Sequence, residues 1–509
     1  MPALPCAGLA PKVEAGLHLR PNRTKCCFFI LTFVMRQLSA RLLACLTVWL
    51  LSGLPGPAWA QLSLPGRASL PSIIPGGGVP LDLRGLSHAA TNPLAAIDLT
   101  GLRHEAVETL LRRRRDTIEP DPAGEPAIRS EVLVTAPSAA LLQAAASAGF
   151  HLLREQNLDG LDLRMVILRP PPGVSTANAV SQLRAMDPEV AIDFNHVYTG
   201  SGAVTTPAIG TRAARAGSTS KEAQIMTATA DAAAAAAAGR DPATGRVAPV
   251  PIRIGLIDSG IDTDHAAFRN ARIAHWGCDG KTHPDAHGTA VASLMIGSAT
   301  RFRGVMPGAT LYAADVYCGQ PAGGATDAIV AAFSWLAQQR AGVVNVSLVG
   351  PANRVLEAAV RAMQKRGHLI VAAVGNDGPA APALYPASYP GVIGVTAVDG
   401  RDRVLPEAAR GTQVIFAAPG ADTLAASTET GGYAPVRGTS FAAPIVAALL
   451  AEALPVPDAT GARPARDRLA AEAMHAQGGT IRTTQSPAST ETGYGVVGSA
   501  FRVAPSRLR

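Results

Sequence analysis

The sequence predicts an α/β protein: a larger parallel-sheet domain with helices on both faces (α/β/α), preceded by a small α+β domain of ferredoxin-like pattern. Three observations predict it. From residue 252 to 417, apolar runs of strand length alternate with amphipathic helices, and runs that are apolar throughout belong to strands buried on both faces. Upstream, two strand-helix-strand units follow each other within 130–200. The composition, 48% hydrophobic and only 16% charged over 509 residues, supplies enough apolar material for two cores and excludes wholesale disorder.

The first 60 residues read as a leader. Met35 is the expected start: Arg36 and Arg41 form a charged stretch, Leu42 to Leu51 is an apolar run, and Ala58-Trp59-Ala60 fits a small-residue cleavage site. An uncleaved membrane anchor and a lipoprotein signal at Cys45 are the other readings. The expectation is export, secreted or periplasmic, with no membrane attachment once the signal is gone. Only five of the 45 basic residues are lysines, which points to a G+C-rich bacterial genome. The net charge of +7 is spread over the chain and does not gather on one domain, which argues against nucleic acid as a partner. Four of the six cysteines fall in the leader. The remaining two, Cys278 and Cys318, suggest one disulfide in an exported protein, free buried thiols being the alternative. They are too few for a structural zinc cluster.

Residues 61–129 read as a Pro/Gly-rich linker that ends in a basic helix. Leu102, Val107, Leu110 and Leu111 have helical spacing, and Arg112–Arg115 is either its solvated end or a processing site. In 130–200, Glu131–Thr135, Leu161–Leu168 and Val190–Tyr198 read as strands, with Ser138–Ala148 and Ser175–Ala185 as helices. Residues 201–251 are an Ala-rich linker suited to cleavage. In 252–505 the predicted strands are Ile252–Ile257, Thr310–Val316, Val343–Ser347, Leu369–Val374, Val392–Ala397 and Val414–Ala417.

Active residues of a parallel α/β sheet gather at the carboxyl ends of its strands. Asp258 stands at such an end, in Ile257-Asp258-Ser259-Gly260. His287, in Asp285-Ala286-His287-Gly288-Thr289, and Ser440, in Gly438-Thr439-Ser440-Phe441-Ala442-Ala443-Pro444, each precede an apolar helix. Pro444 is expected within the first turn, where no backbone donor is needed. Singly these residues are ordinary caps or core groups. Together they supply nucleophile, proton carrier and orienting carboxylate for acyl transfer.

These motifs, with Val371-Ala372-Ala373-Val374-Gly375-Asn376 and Tyr494-Gly495, resemble the subtilisin-like serine peptidases over about residues 252–503. The resemblance implies a serine endopeptidase acting on polypeptides, with Asp258, His287 and Ser440 as catalytic triad and Asn376 as oxyanion donor. It implies that Ser347, Leu348, Val349 and Gly350 bind substrate as an added strand, with Ala373, Val374, Gly375 and Leu384 beside it. Val349 and Leu384 stand where relatives usually carry glycine, which implies a small residue such as Ala before the cleaved bond. No cofactor or metal is implied, because the loop between His287 and Leu311 is short; Asp262, Asp264, Asp279 and Asp285 are the carboxylates a calcium ion would use. The 130–200 domain resembles the family's propeptides, intramolecular inhibitors whose tail lies in the active site, so an inactive precursor cut within Gly200–Val250 is expected. A silent, protease-like binding protein and an esterase are the alternative readings.

Overall fold

The computed structural model describes residues 101–200, 202–204, 250–320, 323–476 and 489–508. The expected leader, the linker before residue 101 and nearly all of the Ala-rich segment lie outside the described residues.

The N-terminal unit opens with helix α1 (Leu102–Arg113), followed by a short strand β1 (Ile118–Pro120). It continues as β2 (Pro126–Thr135), α2 (Ala139–Ser147), β3 (His151–Leu158), β4 (Leu163–Arg169), α3 (Thr176–Met186) and β5 (Ile192–Gly200). The four long strands run antiparallel in the order β5-β2-β4-β3, the βαββαβ arrangement expected. Helices α2 and α3 start where the sequence offers a cap: Ser138 Oγ accepts from the Leu141 N–H and Ser175 Oγ from the Asn178 N–H. The first strand is longer than Glu131–Thr135, beginning at Pro126, and β3 is a strand the apolar pattern did not predict. Apart from Leu158 none of its residues is fully buried, as befits a sheet edge.

A three-residue strand β6 (Gly202–Val204) precedes the second unit. That unit begins with β7 (Arg253–Asp258), β8 (Arg272–Trp276) and α4 (Ala286–Ile296), then a small hairpin of β9 (Ser298–Ala299) and β10 (Phe302–Arg303). It goes on with β11 (Thr310–Asp315), β12 (Gly324–Ala325), α5 (Thr326–Gln338), β13 (Val343–Val346), β14 (Leu348–Val349) and α6 (Arg354–Lys365). The last elements are β15 (Leu369–Ala373), β16 (Ile393–Val398), β17 (Val414–Pro419), β18 (Thr423–Ala426), β19 (Tyr433–Gly438), α7 (Thr439–Ala453) and α8 (Ala462–Ala476).

Seven strands form one parallel sheet in the order β17-β16-β15-β13-β7-β11-β8. Alternate strand residues serve opposite faces. Ile254, Leu256, Val371 and Val395 pack with α4 and α7, while Ile257, Val344, Ile370 and Ala372 pack with α5 and α6. This is the α/β/α layering that the continuous apolar runs predicted. The strand order reverses at β7, which puts the switch point, and so the cleft, at its carboxyl end.

The two units share a core. Leu133, Met165, Ile167 and Tyr198 of the N-terminal sheet are buried against α5 and α6. The other face of that sheet is covered by α2 and α3 through Leu141, Ala145, Val180 and Leu183. Two polar side chains on β5 finish the junction. Asp193 accepts from the backbone N–H of Arg354 (2.8 Å) and Asn195 from that of Asp327 (3.2 Å), satisfying free donors at the starts of α6 and α5.

Candidate active site

Asp258 ends β7, flanked by β11 and β13, with its side chain fully buried. Its Oδ1 accepts from the Ser259 N–H (2.7 Å) and the Ser259 hydroxyl (3.2 Å), and lies 2.8 Å from His287 Nδ1. Asp285 caps α4 by accepting from the His287 N–H (2.9 Å), and also accepts from the Ser259 hydroxyl (2.8 Å). The helix approaches β7 so closely that a Cβ on Gly288 would lie 2.2 Å from the Ser259 carbonyl oxygen, so the residue after the histidine has to be glycine. Burial pulls the His287 imidazole down, but the charge and hydrogen bond of Asp258, with Asp285 behind, outweigh it and hold the ring above its ordinary value. Its Nε2 sits 3.0 Å from Ser440 Oγ.

Ser440 is the second residue of α7, because the helix begins at Thr439, two residues earlier than the apolar pattern predicted. Pro444 therefore falls in the second turn, correcting the expectation that it occupies the first. Its missing N–H would leave the Ser440 carbonyl without an intrahelical donor. The Ser347 hydroxyl fills that role, donating to the Ser440 oxygen (3.0 Å) while accepting from Asn345 Nδ2 (2.9 Å). The side chain of Ser347, expected among the substrate-binding residues, is thus committed to the backbone of Ser440.

Asn376 follows β15 after Gly375, whose φ of +101° lies in the glycine-favouring region. Its Oδ1 accepts from the Thr439 N–H (3.1 Å), which fixes the amide and leaves Nδ2 buried with no partner among the described residues. A buried orphan donor is costly, roughly 1–3 kcal/mol. Here it lies one residue from the serine.

Strand β5 runs through the cleft between two edges. Leu348 and Val349 pair antiparallel with Gly200 and Thr199 on one side; Gly324 and Ala325 pair with Tyr198 and Val197 on the other. Gly350 does not join this ladder. It exchanges backbone hydrogen bonds with Tyr385, both 3.0 Å, correcting its expected pairing with the added strand. Strand β6 continues along β19, Gly202 facing Gly438 and Val204 facing Val436. Of the remaining predicted residues, Ala373 ends β15, and Val374 and Leu384 are buried. A Cβ on Gly375 would lie 2.6 Å from Leu384 Cδ1, so Leu384 fills the space beside that glycine.

Sequence reasoning missed β12, the β19 edge and Tyr317, whose hydroxyl lies beside Gly200, 3.2 Å from where a Cβ there would sit. A two-residue strand has no periodicity to detect, although Gly323-Gly324 before an apolar helix marks a close backbone approach. Cys278 and Cys318 form a disulfide with their Cα atoms 5.1 Å apart, so the free-thiol alternative does not hold. The four carboxylates considered for calcium form no common ligand cluster. Among the described residues the group of three potential ligands found is Cys278, Asp315 and Cys318, whose sulfurs are bonded to each other.

Comparison with known proteins bears on the family and the fold. A family model described as the subtilase family matches residues 251–495. Subtilisin DY of Bacillus licheniformis is 32% identical over 232 residues, covering 44% of this chain and 84% of that protein. Thermitase of Thermoactinomyces vulgaris is 32% identical over 203 residues, or 38% of this chain and 72% of thermitase. Among solved structures, fervidolysin from Fervidobacterium pennivorans, a keratinolytic enzyme related to subtilisin, superposes with a TM-score of 0.52 at 20% identity. That match spans 74% of this chain and 61% of fervidolysin, and bears on the fold alone. With a subtilisin 32% identical over most of its length and a matching fold, the chain belongs to the subtilase family of serine endopeptidases.

Proposed function

We propose that this chain is an exported serine endopeptidase made as an inactive precursor, in which the N-terminal unit is an intramolecular inhibitor. One observation carries the reading. The contiguous Asp258–His287–Ser440 hydrogen bonds, 2.8 and 3.0 Å, lie beside a cleft already filled by the chain's own strand.

In this mechanism Ser440 Oγ attacks a peptide carbonyl while His287 Nε2 takes its proton. Asp258 holds Nδ1 protonated and offsets the imidazolium charge. The oxyanion is received by Asn376 Nδ2 and the Ser440 N–H; the orphaned Nδ2 is the donor whose cost in the resting site is recovered when that charge develops. His287 then protonates the leaving amine, and water, activated by the same imidazole, hydrolyses the acyl-enzyme. All of these groups are side chains or backbone of the chain itself. The polypeptide enters as a strand between Leu348-Val349 and Gly324-Ala325, which favours peptides over small esters. The bulk of Val349 and Leu384 supports a small residue before the cleaved bond. Export rests on the leader sequence. Among the described residues no helix is long and apolar enough to cross a membrane.

The test is fluorophosphonate labelling of the purified protein beside Ser440→Ala. Labelling of wild type alone, on a band well below 52.1 kDa, is the expected result. No label on either protein, even after mild proteolysis of the N-terminal unit, would defeat the reading.

A further inference from the structure

The strand in the cleft carries side chains as well as backbone, and the enzyme surface around two of them is shaped for those two. Tyr198 is completely buried, and its hydroxyl donates to the Pro351 carbonyl at 2.6 Å. The ring lies over Gly350, where a Cβ would come within 2.6 Å of it. The space is therefore flat, aromatic-sized and closed at its end by a polar group. Two residues on, and so on the same face of the strand, a Cβ on Gly200 would sit 3.2 Å from Tyr317 Oη and 3.6 Å from His287 Nε2. Nothing larger than one methyl group fits there without displacing the histidine or the tyrosine.

From this fit we propose that the peptidase is specific for extended peptides bearing tyrosine and, two residues later, glycine, and that it cuts one of the two bonds directly after that glycine. The proposal rests on the endopeptidase reading. In the chain itself the bonds are Gly200–Ser201 and Ser201–Gly202, because Gly200 pairs with Leu348 and lies beside His287, and Gly202 pairs with Gly438, two residues before Ser440. The selecting residues are Gly350 and Pro351 for the tyrosine, and Tyr317 for the glycine. Hydrolysis breaks the C–N bond: the carbonyl carbon passes to Ser440 Oγ and then to water oxygen, and the new amine takes the proton carried by His287.

The experiment uses full-length protein allowed to mature, its active fraction titrated with a fluorophosphonate. Internally quenched peptides containing Tyr-Thr-Gly-Ser-Gly-Ala-Val are compared with versions carrying Phe or Ala for Tyr, and Val for Gly. Phenylalanine would leave the Pro351 carbonyl without its donor, so kcat/KM should fall about tenfold, and alanine should cost at least about a hundredfold. Valine in place of glycine should cost about a hundredfold. Tyr317→Ala should raise the Val-to-Gly ratio at least tenfold, and Gly350→Val should abolish the preference for Tyr over Ala. Should Gly350→Val fail to fold, the Tyr317 variant still decides. N-terminal sequencing of the first processing product should begin at Ser201 or Gly202, with no such product from Ser440→Ala. A fully labelled enzyme that cleaves all the peptides equally, or whose first cut lies elsewhere, overturns this specificity and leaves the endopeptidase reading intact. Absence of labelling and turnover removes both.

Discussion

The two sheets bury their apolar faces by different means. The parallel sheet is covered on both faces by helices of its own unit, α4 and α7 on one side and α5 and α6 on the other. The antiparallel sheet has its own helices on one face only. On the other, Leu133, Met165 and Ile167 reach complete burial only because α5 and α6 of the second unit lie against them. Fully burying such side chains contributes roughly 1.5–3 kcal/mol each, so the N-terminal sheet draws a large part of its stability from docking. Its partner contributes the outer faces and ends of two helices and the strand edges that line the cleft. The asymmetry suits a segment that acts while attached and is dispensable once cut away.

The comparison is broken most strongly inside the second unit. Asn376→Ala removes the orphaned Nδ2 but also the Oδ1 that holds the Thr439 N–H. We expect kcat to fall about 10²–10³-fold, a range the handling of oxyanion donors in subtilisin itself has established. The unfolding midpoint of the matured enzyme should move little, since a buried unpaired donor leaves with the bond. A fall of less than about fivefold in single-turnover acylation would show that Asn376 holds no oxyanion.

Acid sharpens the same contrast. His368 begins β15's approach, and its Nδ1 bonds the Ala341 carbonyl at 2.6 Å; burial, only partly countered by that bond, pushes the imidazole down to about 4. Its folded value lies below the unfolded value of 6.5, so its contribution is fully present above 6.5 and is lost as pH falls toward 4. The difference corresponds to about 3 kcal/mol at most. His368→Gln should flatten the loss of stability between those limits, read from urea midpoints of the Ser440→Ala protein at several pH values. An unchanged slope would mean that the ring is protonated without cost in the folded state. Activity should respond in the same direction for another reason: in the proposed mechanism His287 works as a neutral base, and its ring is held above its ordinary value, so acylation should already decline as pH drops toward 6.5.

At the junction the effects are smaller and of another kind. Asp193→Ala and Asn195→Ala each remove a cap from a helix in the other unit, at about 1 kcal/mol apiece. The double variant should yield less matured enzyme in a refolding assay, while each matured molecule keeps its kcat/KM. A change in kcat/KM of the matured enzyme would show that these residues do more than seat the inhibitor.

What could be read from the sequence follows the same division. The central strands were legible because burial on both faces makes them apolar throughout, and the candidate triad stood out because each of its members lies where such a strand ends or a helix begins. The edge strands β3 and β8 were not. His151–Leu158 is mostly exposed and Arg272–Trp276 has no fully buried residue, so no continuous apolar run marks them. Paired edges as short as Gly324–Ala325 exist only through their partner strand. The support that Ser347 gives to Ser440 was illegible for a different reason. It repairs a hydrogen bond lost at Pro444, 97 residues away in sequence, and became visible only once α7 was seen to start at Thr439.

The weakest predicted effect lies farthest from the chemistry yet beside it in space. Arg103, near the start of α1, pairs with Glu125 of its own unit and reaches Asp377, the neighbour of Asn376, at 3.7 Å. Burial pushes the Asp377 carboxyl up, and the Arg103 charge opposes that rise. The 3.7 Å contact is long for a hydrogen bond, and such pairs are worth about 0–1 kcal/mol. Arg103→Met keeps the buried stem of the side chain and removes the charge, and with it both the Asp377 contact and the Glu125 pair. It should therefore quicken processing of the precursor no more than about fivefold, an effect that added salt diminishes, and should leave the matured enzyme unaltered. A much larger acceleration would mean that α1 restrains the cleft through this contact, and that the inhibitory segment begins well before the four-stranded sheet.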